Sequence, residues 1–265
     1  MSDEVLVVGI GGPTSSGKST IVQNLVAILQ PSSESSPIHS VHVLHQDDFC
    51  PPQNQMPYNT EYNVTDWDTP HGSTDYRRLE RVIRYFYQHK SLPEDFESHE
   101  YRRSNYQCTL PTAMVQEWRK KLHDKSSQPR IAPPKIHVLI VEGFLTFFDT
   151  AVCKLYGVRI FLRISKQLVM KRRYERPNYV LDDGSVWEDP PFYFDAIVWP
   201  AYLEAHAKMF QNQDVECGQP IPAETRNFDG GPVPHLNLIE AQTQPIESVV
   251  NQALQCIYEA IRKYA

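Results

Sequence analysis

The 265-residue chain has little that would tie it to a membrane, to nucleic acid or to an oxidising compartment. No apolar run approaches the roughly 18 residues of a membrane-spanning helix, so none is expected. Positive charge is scarce: 26 Lys and Arg stand against 32 Asp and Glu, a formal net charge of −6. That balance argues against a general nucleic-acid or anionic-membrane binder and leaves room only for a local basic cluster. Cys50, Cys108, Cys153, Cys217 and Cys256 are scattered and odd in number, with no C-x-x-C pair. They fit a reducing compartment and no structural zinc. Asp3 and Glu4 precede the first apolar run, and no signal-peptide layout is read there. There is no internal repeat and no heptad series. The 21 prolines gather between the periodic segments, which predicts long inserted loops.

What the chain does have is concentrated near its start. Val5–Ile10 is an apolar run broken only by Gly9, of the kind that makes a buried parallel strand. Gly12, Pro13, Thr14, Ser15, Ser16, Gly17, Lys18 and Ser19 then fit G-x-x-x-x-G-K-[ST] with no mismatch, and Thr20 follows. Ile21–Leu29 reads as a helix, with Ile21, Leu25, Ile28 and Leu29 on one face. Glycines at 12 and 17 let the backbone curl, so that its N–H groups surround a phosphate chain at the helix N-terminus. Lys18 has the reach to bridge the outer phosphates, and the Ser19 hydroxyl is the expected Mg²⁺ ligand. Binding of a nucleoside triphosphate follows.

The acceptor has to be sought elsewhere. Ser40–His45 reads as the next strand and runs into Gln46, Asp47, Asp48 and Phe49. Open α/β sheets bind ligands at the C-terminal edge of their strands, where these two carboxylates fall. In the irregular stretch 50–75, Trp67 stands between Asp66 and Asp68. That pattern suits a base-stacking platform beside a hydroxyl-binding carboxylate, and equally a loop anchored by its indole. Helices are expected over 73–89 and 111–122. Ile136–Val141 is a second strongly apolar strand, ended by Glu142-Gly143. An acid after a buried strand is the expected partner for the Mg²⁺ shell.

Val158–Ile164 is a further strand. Lys171, Arg172, Arg173 and Arg176 then put four cations within six residues. They read as a lid that supplies guanidinium donors to the transferring phosphoryl group, or as a solvated helix face. A helix from about 192 to 210, a short strand over 236–239 and a closing helix over 245–264 complete about five strands. The expected fold is α/β, a P-loop kinase-like domain over 1–265 with a parallel sheet flanked by helices. Its insertions lie at 88–134 and 211–234, and its lid at 165–190.

These parts add up to a small-substrate phosphotransferase. Asp47 lies one strand from the donor loop, where a carboxylate can orient an acceptor hydroxyl and take its proton late in transfer. A nucleotide-hydrolysing enzyme, a GTP switch or a nucleotide-binding interaction protein is the other class. A guanine-specifying Asn/Lys-x-x-Asp pattern is not seen in a suitable place after a strand: neither Asn178 nor Asn237 has an Asp three residues on.

Several stretches occur in the order of one family: GGPTSSGKST at 11–20, HQDDF at 45–49, Trp67-Asp68, VEGFLTF at 141–147, KRRYER at 171–176 and YFDAIVWPAYLEAH at 193–206. With them the chain resembles the nicotinamide riboside kinases, the fungal form in particular, in the uridine-kinase-like group of P-loop kinases. The regions 88–134 and 211–234 look longer than in compact members, and Arg176 and Tyr179 fall about one residue off the family spacing. The resemblance implies a five-stranded parallel sheet and transfer of the ATP γ-phosphate to the 5′-hydroxyl of nicotinamide riboside, with nicotinic acid riboside also accepted. Uridine or cytidine as acceptor is the alternative. It implies Asp47 as base and Asp68 on the ribose hydroxyls with an arginine of 172–176. Trp67 would stack on the pyridine ring opposite Tyr179. Glu142 would serve the Mg²⁺ and acceptor site. Asp48, Arg173 and Arg176 are counted with the acceptor site, Arg172 and Arg176 with ATP, and Ser19, Glu142 and Asp47 with Mg²⁺. A cytoplasmic monomer is expected, with a dimer and a nuclear location left open.

Overall fold

The computed structural model describes residues 3–31, 36–98, 108–123, 134–175, 186–222 and 235–264, and the backbone of 179–180. Its centre is one parallel sheet. Strands β1 (Glu4–Gly11), β2 (Ile38–His45), β3 (Ile136–Gly143), β4 (Val158–Arg163) and β5 (Leu236–Glu240) stand in the order β2-β3-β1-β4-β5. The three inner strands β1, β3 and β4 are buried nearly throughout, while the edge strands β2 and β5 are only partly buried. Strand β1 is central, and the order reverses beside it, so a crevice opens above its C-terminal end.

Side chains alternate across the sheet, and each face has its own core. Leu6, Val8 and Ile10 of β1 meet helices α1 (Lys18–Leu29), α3 (Thr112–His123) and α6 (Ile246–Ile261). Val5 and Val7 look the other way. That core takes in Leu79, Val82, Ile83 and Phe86 of helix α2 (Tyr76–His89), and Trp199 and Tyr202 of helix α5 (Trp199–His206). A π-helical turn, Phe194–Val198, leads into α5. The remaining long helix, α4 (Lys166–Tyr174), starts on Ser165, whose hydroxyl accepts the Leu168 N–H.

The expected elements recur with bounds moved by a few residues. Helix α2 starts at Tyr76 rather than near 73, because the Asp75 carboxylate caps it through the Arg78 N–H. Helix α4 ends at Tyr174, short of Arg176, and the single helix expected over 192–210 is a π turn, an α-helix and a 3₁₀ turn, Ala207–Met209. Arg176, the side chain of Tyr179 and parts of 88–134, 165–190 and 211–234 lie outside the described residues. The described part of the last insertion is tied down, since Arg163 donates to the carbonyls of Val215 and Gly218 and pairs with Glu240.

Candidate active site

The loop between β1 and α1 closes on itself. Gly12 has φ 145°, and a Cβ there would stand 2.5 Å from the Leu162 carbonyl oxygen, so a side chain would push the loop off β4. Lys18 Nζ donates to the carbonyls of Gly12 (3.0 Å) and Pro13 (2.9 Å). The Ser15 and Ser16 hydroxyls are buried with no hydrogen-bond partner among the described residues. Buried polar atoms are ordinarily paired, so orphaned hydroxyls in this concavity are suited to phosphate oxygens.

Next to this loop lies a buried polar knot. Ser19 Oγ donates to Glu142 Oε1 at 3.1 Å, and His45 Nδ1 stands 2.8 Å from the same oxygen. Burial pushes the Glu142 carboxyl up, but His45 and Lys18 outweigh it and hold it below the usual carboxylate range. Two oxygen donors, a hydroxyl and an ionised carboxylate, therefore converge beside the phosphate cradle. Mg²⁺ in phosphoryl-transfer sites is held by such a pair together with phosphate oxygens, so the residues present fit it.

The acid pair after β2 divides. Asp47 is exposed, while Asp48 is buried and its Oδ2 accepts from Ser98 Oγ at 2.7 Å. The structure thus ties Asp48 into the scaffold. Gln46, between them and His45, is a strut. Its Oε1 accepts the Leu145 N–H at 2.7 Å and its Nε2 donates to Thr74 Oγ1 at 2.9 Å. A Cβ on Gly143 would run into the Gln46 side chain, so the glycine is what lets the strut cross β3.

The cation cluster divides too. Lys171 is exposed beside Glu175. Arg172 Nη1 donates to the Ser15 carbonyl at 3.2 Å, on the phosphate loop. Arg173 turns the other way and is buried. Its guanidinium grips Asp189 through Nε (2.5 Å) and Nη2 (3.1 Å) and reaches Asp68 Oδ2 at 3.5 Å. Of the group expected to close over the triphosphate, Arg173 therefore joins Asp68 and Asp189, and Arg172 touches the loop.

That pocket has aromatic walls. Trp67 meets Trp187 edge-on at 6.0 Å between ring centroids, and Trp187 meets Tyr193 at 5.4 Å. The Trp67 indole N–H is buried without a partner among the described residues. The loop is also anchored by Tyr193, whose hydroxyl accepts the Trp67 backbone N–H (2.9 Å) and donates to the Thr65 carbonyl (3.4 Å). Trp67 is half-buried and packs against the core beside this anchored loop. Burial raises the Asp68 carboxyl above its ordinary range. Arg173 opposes that shift, while Asp189 and Asp66 add to it.

His45, Trp187, Asp189 and Tyr193 escaped the motif reading. His45 and Tyr193 lie inside motifs quoted above, but only the packing gives them partners. Trp187 and Asp189 flank a single residue before Pro190-Pro191, and a Trp-x-Asp before a rigid turn was the available signal.

A phosphate cradle at the switch point of a parallel sheet, with a carboxylate-lined pocket beside it, defines a P-loop phosphotransferase. The profile of the Phosphoribulokinase / Uridine kinase family matches residues 7–179. Three fungal relatives are each a nicotinamide riboside kinase. That of Eremothecium gossypii is 32% identical, over 96% of this chain and 93% of its own length. That of Saccharomyces cerevisiae is 28% identical, over 86% and 88%. That of Schizosaccharomyces pombe is 28% identical, over 81% and 85%. The chain belongs to the phosphoribulokinase/uridine kinase family and, within it, to the nicotinamide riboside kinases.

Proposed function

We propose that this chain, as one kinase domain, transfers the γ-phosphate of ATP to the 5′-hydroxyl of nicotinamide riboside, giving nicotinamide mononucleotide and ADP. Nicotinic acid riboside is a further acceptor. The observation that carries this reading is the division of labour between two consecutive arginines. Arg172 reaches the phosphate loop at Ser15, and Arg173 reaches Asp68 in the aromatic pocket. One turn of helix thereby spans a donor site and an acceptor site, and donor and acceptor have to meet between them.

In this reading the loop N–H groups and the Ser15 and Ser16 hydroxyls hold the β- and γ-phosphates. Lys18 exchanges its carbonyl acceptors for phosphate oxygens, and Arg172 takes charge developing on the transferring group. Ser19 and Glu142 would hold Mg²⁺, which neutralises phosphate charge when bound. Asp68 and Arg173 hold the ribose hydroxyls, and Trp67 stacks on the pyridinium, a cation that an aromatic face beside carboxylates suits. The 5′-hydroxyl oxygen forms its bond to γ-phosphorus as the bond to the β,γ-bridging oxygen breaks, and Asp47 accepts the hydroxyl proton. The scattered cysteines favour a cytoplasmic setting.

The test is ADP release with Mg²⁺-ATP and, separately, nicotinamide riboside, nicotinic acid riboside, uridine, cytidine and no acceptor. Turnover on the pyridine ribosides supports the reading. Turnover on uridine and cytidine alone overturns the acceptor assignment, and release without acceptor overturns the transfer.

A further inference from the structure

We infer that Ser98 is a positioning residue for the transfer: together with Phe96 it braces the turn that carries Asp47, so that the start of the insertion over 88–134 holds the proton acceptor in place. This rests on the reading above that Asp47 takes the hydroxyl proton.

Asp47 lies exposed in a single 3₁₀ turn, Gln46–Phe49, at the end of β2. Such a turn has poor internal hydrogen-bond geometry and does not fix itself, so the place of Asp47 depends on how its neighbours are held. On one side Gln46 is tied to Leu145 and Thr74. On the other side stand Asp48 and Phe49, 5% and 0% exposed. Helix α2 holds their backbone. Arg78 Nη1 donates to the Asp48 carbonyl at 3.1 Å, and the Phe49 carbonyl accepts the Asp75 N–H at 2.8 Å. The Arg78 guanidinium also lies over the Phe49 ring, 5.2 Å from its centroid.

The side chains of the same two residues are met by a later stretch of chain. Helix α2 ends on Lys90, whose left-handed φ of 61° turns the chain, and the residues that follow come back to the turn at the helix's start. The Phe96 N–H bonds to the Pro93 carbonyl at 3.0 Å, and the Phe96 ring stacks on Phe49 with 5.7 Å between centroids and 27° between planes. Two residues on, Ser98 Oγ donates to Asp48 Oδ2 at 2.7 Å. A hydroxyl on a carboxylate at that distance is a strong, directional bond. A buried carboxylate that loses such a donor shifts toward another, because an unmade bond is costly there. Asp48 shares a peptide bond with Asp47, so a shift of Asp48 carries the Asp47 backbone with it. Proton acceptance requires hydrogen-bond reach, and a displacement of about 1 Å costs up to about 10²-fold in rate.

The experiment measures kcat and the KM for nicotinamide riboside and for ATP in the wild-type enzyme, Ser98→Ala and Ser98→Thr, and repeats Ser98→Ala in an Asp47→Ala background. Ser98→Ala is expected to lower kcat about tenfold and to leave both KM values within about twofold. Ser98→Thr, which keeps the hydroxyl, is expected to restore most of kcat. Where Asp47 is already Ala, Ser98→Ala should leave the residual kcat within about twofold, because no carboxylate remains there to be positioned. A near-normal kcat in Ser98→Ala overturns the inference. So does a loss that appears in KM instead, one that Ser98→Thr does not relieve, or one that persists in full in the Asp47→Ala background. Near-normal turnover by Asp47→Ala itself would instead overturn the reading on which the inference rests.

Discussion

His45 and Glu142 face each other across neighbouring strands β2 and β3, and His45 Nδ1 lies 2.8 Å from Glu142 Oε1. Burial lowers the His45 pKa, but Glu142 outweighs it, so the ring is held above its ordinary value of 6.5. Glu142 is held below its ordinary 4.5. The two shifts describe an ion pair, with Ser19 as a third member. It joins the phosphate loop to the sheet.

Removing one partner of a buried pair strands the other, at a cost of about 3 kcal/mol. His45→Ala is expected to lose roughly that much stability in denaturant unfolding at pH 6. The pH window follows from the signs. The lowered Glu142 pKa gives stability that is full above 4.5 and lost as pH falls through the folded value. The raised His45 pKa gives stability that is full below 6.5 and lost as pH rises through the folded value. The difference between wild type and His45→Ala should therefore be greatest between pH 4.5 and 6.5 and shrink on both sides. A difference independent of pH would show that packing, and not the pair, was lost.

Asp47 is exposed at the end of β2, where its buried neighbour Asp48 serves the scaffold. Asp47→Ala is expected to lower kcat by about 10²–10⁴-fold, the usual contribution of a general base. The affinity for ATP, measured by calorimetry without acceptor, should stay within about twofold, because the donor contacts are untouched. Near-normal kcat would remove Asp47 from the reaction.

Trp67 stands on a loop that Tyr193 anchors through the backbone, so truncating the indole leaves the loop's own hydrogen bonds in place. Trp67→Ala is expected to raise the riboside KM about tenfold, equivalent to the ~1.4 kcal/mol of one ring contact. The KM for ATP should hardly change. An equal rise in both would mean that the loop, and not the stacking face, had been damaged.

His206 is fully buried on α5 against Phe161, with Nδ1 on the Tyr202 carbonyl and Nε2 unpartnered among the described residues. Burial drives its pKa down to about 4. The unfolded chain binds a proton near 6.5, so this contribution to stability is full above 6.5 and falls as the pH drops from 6.5 to about 4. The whole shift is worth about 3 kcal/mol. His206→Asn keeps a donor for Tyr202 and cannot titrate in that range. Its unfolding free energy should fall less steeply between pH 7 and 5 than that of the wild type. Identical slopes would place the acid sensitivity elsewhere.

The donor half of the site was legible because it is local. A P-loop is one continuous run, and its strand, turn and helix are neighbours in sequence, so residue spacing and glycine positions already define the cradle around Lys18 and Ser19. Glu142 was legible for a related reason, as an acid at the end of a conspicuous apolar strand. The proposed acceptor half takes in Trp67, Asp68, Arg173, Trp187, Asp189 and Tyr193, which lie on three separate stretches of chain. Periodicity says nothing about which of two adjacent arginines turns which way.

The amino-acid sequence by itself determined the parallel sheet, the phosphate loop and the family, because apolar alternation, turn residues and short motifs act over a few residues of chain. Only the tertiary structure decided how the charges are shared. It committed Asp48 to Ser98, sent Arg172 to Ser15 and Arg173 to Asp189, and paired His45 with Glu142. The physical reason is that a hydrogen bond or ion pair depends on ångströms between side chains, and those distances are set by the packing of whole elements against the sheet.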